Sequence, residues 1–169
     1  MTIGQGMAQE LQHEAISARQ VLERIPDEKF DWTPHEKSMN FGKLGSHVAE
    51  SVGWAPYTLD TDGMDIAPVD GPAFEPYIAK NTAEILSTFD KNLEMAVKAL
   101  SEVSDETLMQ TWTMKKAGVV VLSMPKVAVM RGFILNHLVH HRAQLGLYLR
   151  LNNISVPAML GPSADEGNM

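Results

Sequence analysis

Asn136-His137-Leu138-Val139-His140-His141-Arg142-Ala143-Gln144 is the stretch whose reading decides the rest of the chain. It holds three of the six histidines inside an apolar-periodic segment that reads as helix. On a helix, residues four apart stand one above the other on the same face. His137 and His141 therefore aim two imidazoles at one point. Two ligands hold a metal poorly, so a third must come from elsewhere. His47, in Leu44-Gly45-Ser46-His47-Val48-Ala49-Glu50, is the obvious donor.

The helical phase sharpens this choice. With His137 at zero and about 100° per residue, His141 falls at about 40°, Met130 and Tyr148 at about 20°, Ile134 at about 60° and Leu145 at about 80°. Both histidines thus lie within an apolar arc. His140, at about −60°, lies off it, and Arg142, at about 140°, faces away toward an acidic partner on another helix or subunit. Leu44, Ser51 and Trp54 lie within about 60° of His47 on its own helix. His47, His137 and His141 are expected to point inward from two helices. A lone histidine on such a face is usually a hydrogen-bonded core residue. Three converging imidazoles would each need a separate partner if no ion joined them. His13 and His35 show no partner pattern and read as surface residues.

Working outward, four helical stretches emerge. The first runs from about Met7 to Arg24 and stops at Pro26-Asp27. The second starts near Asn40, with Ser38 the expected cap, and ends near Pro56. The third spans about Glu75 to Val103, with Ile78, Ile85, Leu86, Phe89, Leu93, Val97 and Leu100 on one stripe. The fourth opens at Ser123-Met124-Pro125 and reaches about Leu151. Residues 60–76 are rich in Asp, Gly and Pro and form a long connection, a class of loop that is usually functional or mobile. Between the last two helices, Trp112 and Val119-Val120-Val121 favour extended structure, and Lys115-Lys116-Ala117-Gly118 can turn it into a short hairpin. The expected fold is all-α, a four-helix bundle with one long crossover. It occupies residues 1–160 as one domain, with a loose tail at 161–169.

Composition bounds the function. A chain of 169 residues with 44% hydrophobic and 21% charged residues is one ordinary globular domain. The net charge of −7 argues against nucleic acid, whose affinity comes from clustered Lys and Arg, and against an anionic membrane surface. No signal-like leader or membrane-length apolar run is visible, so a cytoplasmic location is the default expectation. Without cysteine, neither a thiolate ligand nor a thiol nucleophile can come from the protein. A metal site must use nitrogen and oxygen donors.

Asn136-His137-x-x-His140-His141-Arg142-x-Gln144-Leu145, followed by Val156-Pro157 and Gly161-Pro162-Ser163, resembles the C-terminal signature of the DinB family. Phe30-Asp31-Trp32-Thr33-Pro34, Ser38-Met39 and Leu44-x-x-His47-x-x-Glu50 resemble an upstream motif of that family. The matches bracket residues 30–163 in the expected order. The resemblance implies a four-helix bundle, often a homodimer, with a divalent metal on His47, His137 and His141. Ala143 departs from the glycine many members carry. The family includes thiol-dependent transferases and isomerases that use low-molecular-weight thiols, but it does not fix a reaction.

Neutral imidazoles suit zinc, nickel, copper or iron; zinc and nickel lead. Three protein ligands leave a position open for water or substrate, as catalytic zinc sites do. Such an ion could activate a water or a small thiol, which points to a thiol-dependent S-transferase or a hydrolase acting on a small molecule. The competing class is a non-catalytic metal-binding or stress-response protein whose ion ties two helices together. Glu50, at about −60° from His47, is the candidate general base, against the plainer reading of a solvated helix carboxylate. Gln144 shares the face of the two late histidines and is a candidate to orient one of them. Trp54 is a candidate cavity residue. The methionines read as core and loop filling.

Overall fold

Thr2 starts the chain's first helix, and its hydroxyl accepts the Gln5 N–H while the Gln5 side chain accepts the Thr2 N–H. This reciprocal cap satisfies two amides that a helix start otherwise leaves open. Helix α1 therefore runs Ile3–Leu22, beginning a turn before the expected Met7. The computed structural model describes residues 1–167. Beyond α1 come α2 (Phe41–Val52), α3 (Trp54–Asp60), β1 (Gly63–Asp65), α4 (Thr82–Glu102), α5 (Asp105–Met109), β2 (Thr111–Lys116), β3 (Val119–Pro125), α6 (Lys126–Val129) and α7 (His137–Leu151). The molecule is mostly helical with a small three-stranded sheet.

The long helices share one core. α1 packs against α4 and α7, and α2 packs against the same two. The interior between them is built from Leu11, Val21, Leu22, Phe41, Leu44, Val48, Ile85, Phe89, Leu138, Leu145 and Leu149. Gly4 permits the close approach of α1 to α4. A β-carbon there would stand 2.3 Å from the Leu100 carbonyl oxygen.

Several boundaries differ from expectation for local reasons. The cap of α2 is Asn40, whose side chain accepts the Lys43 N–H at 2.8 Å. Ser38 is too far upstream to reach that turn and instead donates its amide to His35. Pro56 does not end the helix. It lies in the first turn of α3, where a missing N–H leaves nothing unpaired. The third long helix opens at Thr82 rather than Glu75, because the Asn81 side chain caps it through the Glu84 N–H. Ahead of it, residues 75–80 run extended along α2, with the amides of Tyr77 and Ala79 bonded to Glu50 and Ser46. Ile78, expected on the core stripe, is consequently 55% exposed.

β2 and β3 form an antiparallel hairpin. Its two-residue turn places Ala117 at φ 50° and Gly118 at φ 76°, the left-handed pair that suits the twist of a tight hairpin. β1, from the long connection, adds to β2 in parallel. The Asp65 carboxylate accepts amides of Ala67, Ala117 and Gly118, which ties connection to turn and holds its pKa below the usual value. Ser123 is a strand residue rather than a cap, its hydroxyl facing that of Thr113 across the hairpin.

From Lys126 the chain runs helically to Leu151, but residues Met130–Asn136 form a π-helical stretch immediately before His137. Single π turns inside helices often occur at functional sites. The buried Lys126 ammonium donates to the Leu59 carbonyl at the end of α3 and so pins that helix to α6. Where a loose tail is expected from residue 161, Ser163, Asp165 and Glu166 bond back to Val156, Arg150 and Arg24; Asn168 and Met169 lie outside the described residues. Among the described residues, no helix is long and apolar enough to cross a membrane.

Candidate metal centre

α2 presents His47, and the start of α7 presents His137 and His141, one helical turn apart. The Nε2 atom of His137 lies 3.2 Å from that of His47 and 2.8 Å from that of His141. One ligand nitrogen from each ring falls within 4.8 Å of the other two. Ions that bind imidazole at about 2.0–2.1 Å hold adjacent nitrogens about 3 Å apart, so the His137–His47 and His137–His141 spacings suit one transition-metal ion, and the third pair lies within 4.8 Å. His140 is exposed and its ring lies against that of His141, with centres 4.7 Å apart, but it does not join the converging group. His13 and His35 are exposed and also stand outside that group.

The rings are oriented as ligands. His141 Nδ1 lies 2.7 Å from the Gln144 side-chain oxygen. That oxygen can only accept, so Nδ1 carries the proton and Nε2 keeps its lone pair for the centre. Trp54 stacks on His137 with ring centres 5.5 Å apart and meets His47 edge-on at 5.6 Å. Burial pushes all three histidines down. His137 falls to about 4, by burial first and then by its imidazole neighbours. His47 is lowered by burial and by His141. His141 is lowered by burial, which its bond to Gln144 partly counters. The neutral form that binds metals is therefore the resting form near neutral pH.

Glu50 occupies a more constrained position than its helical phase suggests. One carboxylate oxygen accepts the Tyr77 amide at 3.1 Å, and the other is buried with no hydrogen-bond partner. Its carboxylate is not among the groups that converge with the histidines. Burial raises its pKa, against the Tyr77 bond. Arg142 turns from the centre toward α1, where it pairs with Glu14 at 2.6 Å.

A cavity of about 530 Å³ opens onto His47 and His137. Trp54, Tyr57 and Thr58 of α3 form one wall, and Met64, Ile66 and Phe74 of the long connection another. Trp112 and Met114 of β2 with Val129, Phe133 and Ile134 close the rest. Of these wall residues, only Trp54 is expected from the sequence as a cavity residue. The apolar runs that supply them are visible in the chain, but their convergence on the histidines is not. A second cleft of about 560 Å³ lies between α3, α4 and α5, lined by residues such as Pro56, Met95 and Lys98. No histidine reaches it, so size alone does not mark the site.

Comparisons with known proteins bear on the family and the fold. The sequence model of the DinB superfamily matches residues 10–145. The uncharacterized protein YrdA of Bacillus subtilis (strain 168) is 23% identical over 154 residues, spanning 90% of this chain and 85% of its own. Two solved structures share the fold. A DinB-like protein of Bacillus cereus ATCC 10987 is 22% identical with a TM-score of 0.66. The DinB-like protein YjoA of Bacillus subtilis is 14% identical with a TM-score of 0.66. Each alignment covers 90% of this chain and 95% of the other.

Proposed function

The chain belongs to the DinB superfamily, and from that premise we propose that it is a metal-dependent enzyme acting on a small molecule, its ion held by His47, His137 and His141. The observation that carries this reading is the convergence of three neutral imidazoles, two of which line a cavity large enough for a substrate. We read the packing of α1, α2, α4 and the α6–α7 helix as the family's four-helix bundle, with the long connection as its crossover.

A divalent ion on three nitrogens, zinc or nickel by preference, would supply Lewis-acid activation of a water or of a low-molecular-weight thiol. The chain's own residues do the rest. Gln144 holds the His141 ring in the ligand tautomer. Trp54 fixes the His47 and His137 rings by contact, and the aromatic walls exclude bulk water. Glu50 is the candidate for moving a proton, because it shares α2 with His47, its second oxygen has no partner and its raised pKa moves it toward that of a working base. A thiol-dependent S-transferase leads over a hydrolase because of the family. The chain's lack of cysteine means that any thiol must come from outside.

A second reading has its own support. Glu50 already fastens the extended segment to α2, so the ion could serve mainly to join α2 to α7 in a non-catalytic metal-binding or stress-response protein.

The two readings separate in one assay series. Untagged protein loaded with zinc or nickel is screened for thiol conjugation and ester hydrolysis, with and without chelator. The enzyme reading expects turnover that chelator abolishes. It also expects Glu50→Gln to keep the metal and lose at least about tenfold in rate. A chelator that only lowers the melting temperature, with no turnover across the panel, favours the structural ion.

A further inference from the structure

The cavity beside the histidines has an unusual balance of charge. Its lining contains no Lys, Arg, Asp or Glu, in a chain of which 21% is charged. Five aromatic side chains face it from four separate elements: Trp54 and Tyr57, Phe74, Trp112 and Phe133.

Most of the polar atoms in its wall are already committed. The Trp112 indole N–H donates to Thr61. The Thr58 hydroxyl donates to the Trp54 carbonyl, and the Tyr57 hydroxyl points to the Gly63 carbonyl. The ring nitrogens of His47 and His137 are the polar groups left at one end. A ligand that fills the space thus meets apolar and aromatic surface along its body and electron-pair chemistry at a single tip.

We propose that this cavity selects uncharged ligands with an aromatic or branched aliphatic body and one terminal donor group directed at the histidines. The donor end of this proposal rests on the metal reading above; the apolar body does not. The volume of about 530 Å³ lies within the usual range for small-molecule pockets, about 300–1,000 Å³. Charge decides the class. A carboxylate or ammonium brought into this space would lose its hydration without gaining an ion pair, and such burial is strongly unfavourable. A thiol that carries carboxylates, such as glutathione, would have to leave its charged portion outside. The co-substrate's apolar group, not the charged body of a peptide-like thiol, belongs against Trp112 and Phe74.

The test uses the protein as purified and loaded with zinc. Phenylmethanethiol and its 4-carboxylate analogue, which differ only in charge at the far end, are compared by calorimetry. Fluorobenzene, which cannot coordinate, is followed by fluorine NMR as a probe of the walls alone. The neutral thiol is expected to bind at least about tenfold more tightly than the carboxylate, and the fluorobenzene signal should broaden on adding protein. Phe74, 43% exposed in the long connection, can be changed without opening the core. Phe74→Asp should weaken both neutral probes at least about tenfold while zinc content stays unchanged. Phe133→Asp is the matching change from the opposite wall. Equal or tighter binding of the carboxylate, or neutral binding indifferent to both variants, overturns the proposal. Protein that takes no zinc yet binds fluorobenzene in a Phe74-dependent way would sink the metal reading and leave the apolar ligand class standing. Protein that takes zinc and ignores fluorobenzene would do the reverse.

Discussion

His141 and Arg142 are neighbours in sequence, and both are buried on α7, yet they enter opposite kinds of polar cluster. Arg142, 2% exposed, reaches α1 and donates to the Glu14 carboxylate, the Glu14 carbonyl and the Ser17 hydroxyl. Its charge is answered inside the protein. His141 faces two more imidazoles and no carboxylate. Those three rings have like chemistry, converge at 2.8 and 3.2 Å, and leave His137 Nδ1 buried without a partner. The Arg142 cluster answers a charge with a carboxylate, whereas the histidine cluster keeps its Nε2 electron pairs pointed at a shared space. Buried polar groups are paired in folded proteins as a rule. Arg142 Nε and Glu50 Oε2 are buried without partners as well, so the convergence of three like rings, rather than an unpartnered atom alone, locates the site.

The largest contrast should appear on removing one member of each cluster. His137→Ala, His47→Ala and His141→Ala should each abolish stoichiometric metal binding, measured by elemental analysis, while the protein stays folded. His140→Ala should keep the metal, since that ring faces solvent. Equal loss from His140→Ala would break the assignment of faces.

Glu14→Ala should do the opposite. It leaves the Arg142 guanidinium buried without its carboxylate, and breaking such a pair typically costs about 3–5 kcal/mol. Denaturant unfolding should show that loss, with metal content per folded molecule unchanged. A small stability effect would mean that Ser17 and the Glu14 carbonyl suffice.

Gln144→Ala lies between these cases, touching the centre only through the His141 ring. Loss of such an outer contact typically weakens metal affinity about 10–100-fold, which a competitive chelator titration can read. Gln144→Glu, which keeps an acceptor for the Nδ1 proton, should recover most of it. Failure of that rescue would assign Gln144 to packing.

The smallest effect concerns pH. His137 has a folded pKa of about 4, below the ordinary histidine value of about 6.5. The unfolded chain therefore takes up protons first as pH falls, and stability should decline from about pH 6.5 toward the folded value. His47 and His141 are shifted in the same direction and should add to that slope. Metal-free wild type should lose more stability across this window than metal-free His137→Gln. Identical slopes would mean that His137 is not held neutral by the fold. Bound metal should carry that decline to lower pH, because it holds the native histidines unprotonated until acid releases the ion.

The histidine face was legible in sequence because helical phase depends on spacing alone. His137, His141 and His47 need only a period of 3.6 and a partner helix. The walls of the cavity were not legible, because they depend on pairings between distant residues. Gly63 meets Thr113 across β1 and β2, and nothing local to either residue announces that contact. Glu50 shows the same limit. Its place on the flank of α2 follows from phase, but the Tyr77 amide that engages it comes from 27 residues further on. The helix starts fail differently. Thr2-x-x-Gln5 is a capping signature that could have moved α1 to its true beginning. Asn40 and Asn81, each directly before a helix, are ordinary caps. The π turn at Met130–Asn136 has no such signal; only the backbone reveals it.

X-ray absorption at the metal edge of the zinc- or nickel-loaded protein tests the central claim most directly. The account predicts three imidazole nitrogens at about 2.0–2.1 Å, with the rest of the shell made of exchangeable water that an added thiol replaces by sulfur. A shell completed by a fourth protein ligand and unmoved by thiol, or one with fewer than three imidazoles, would contradict it.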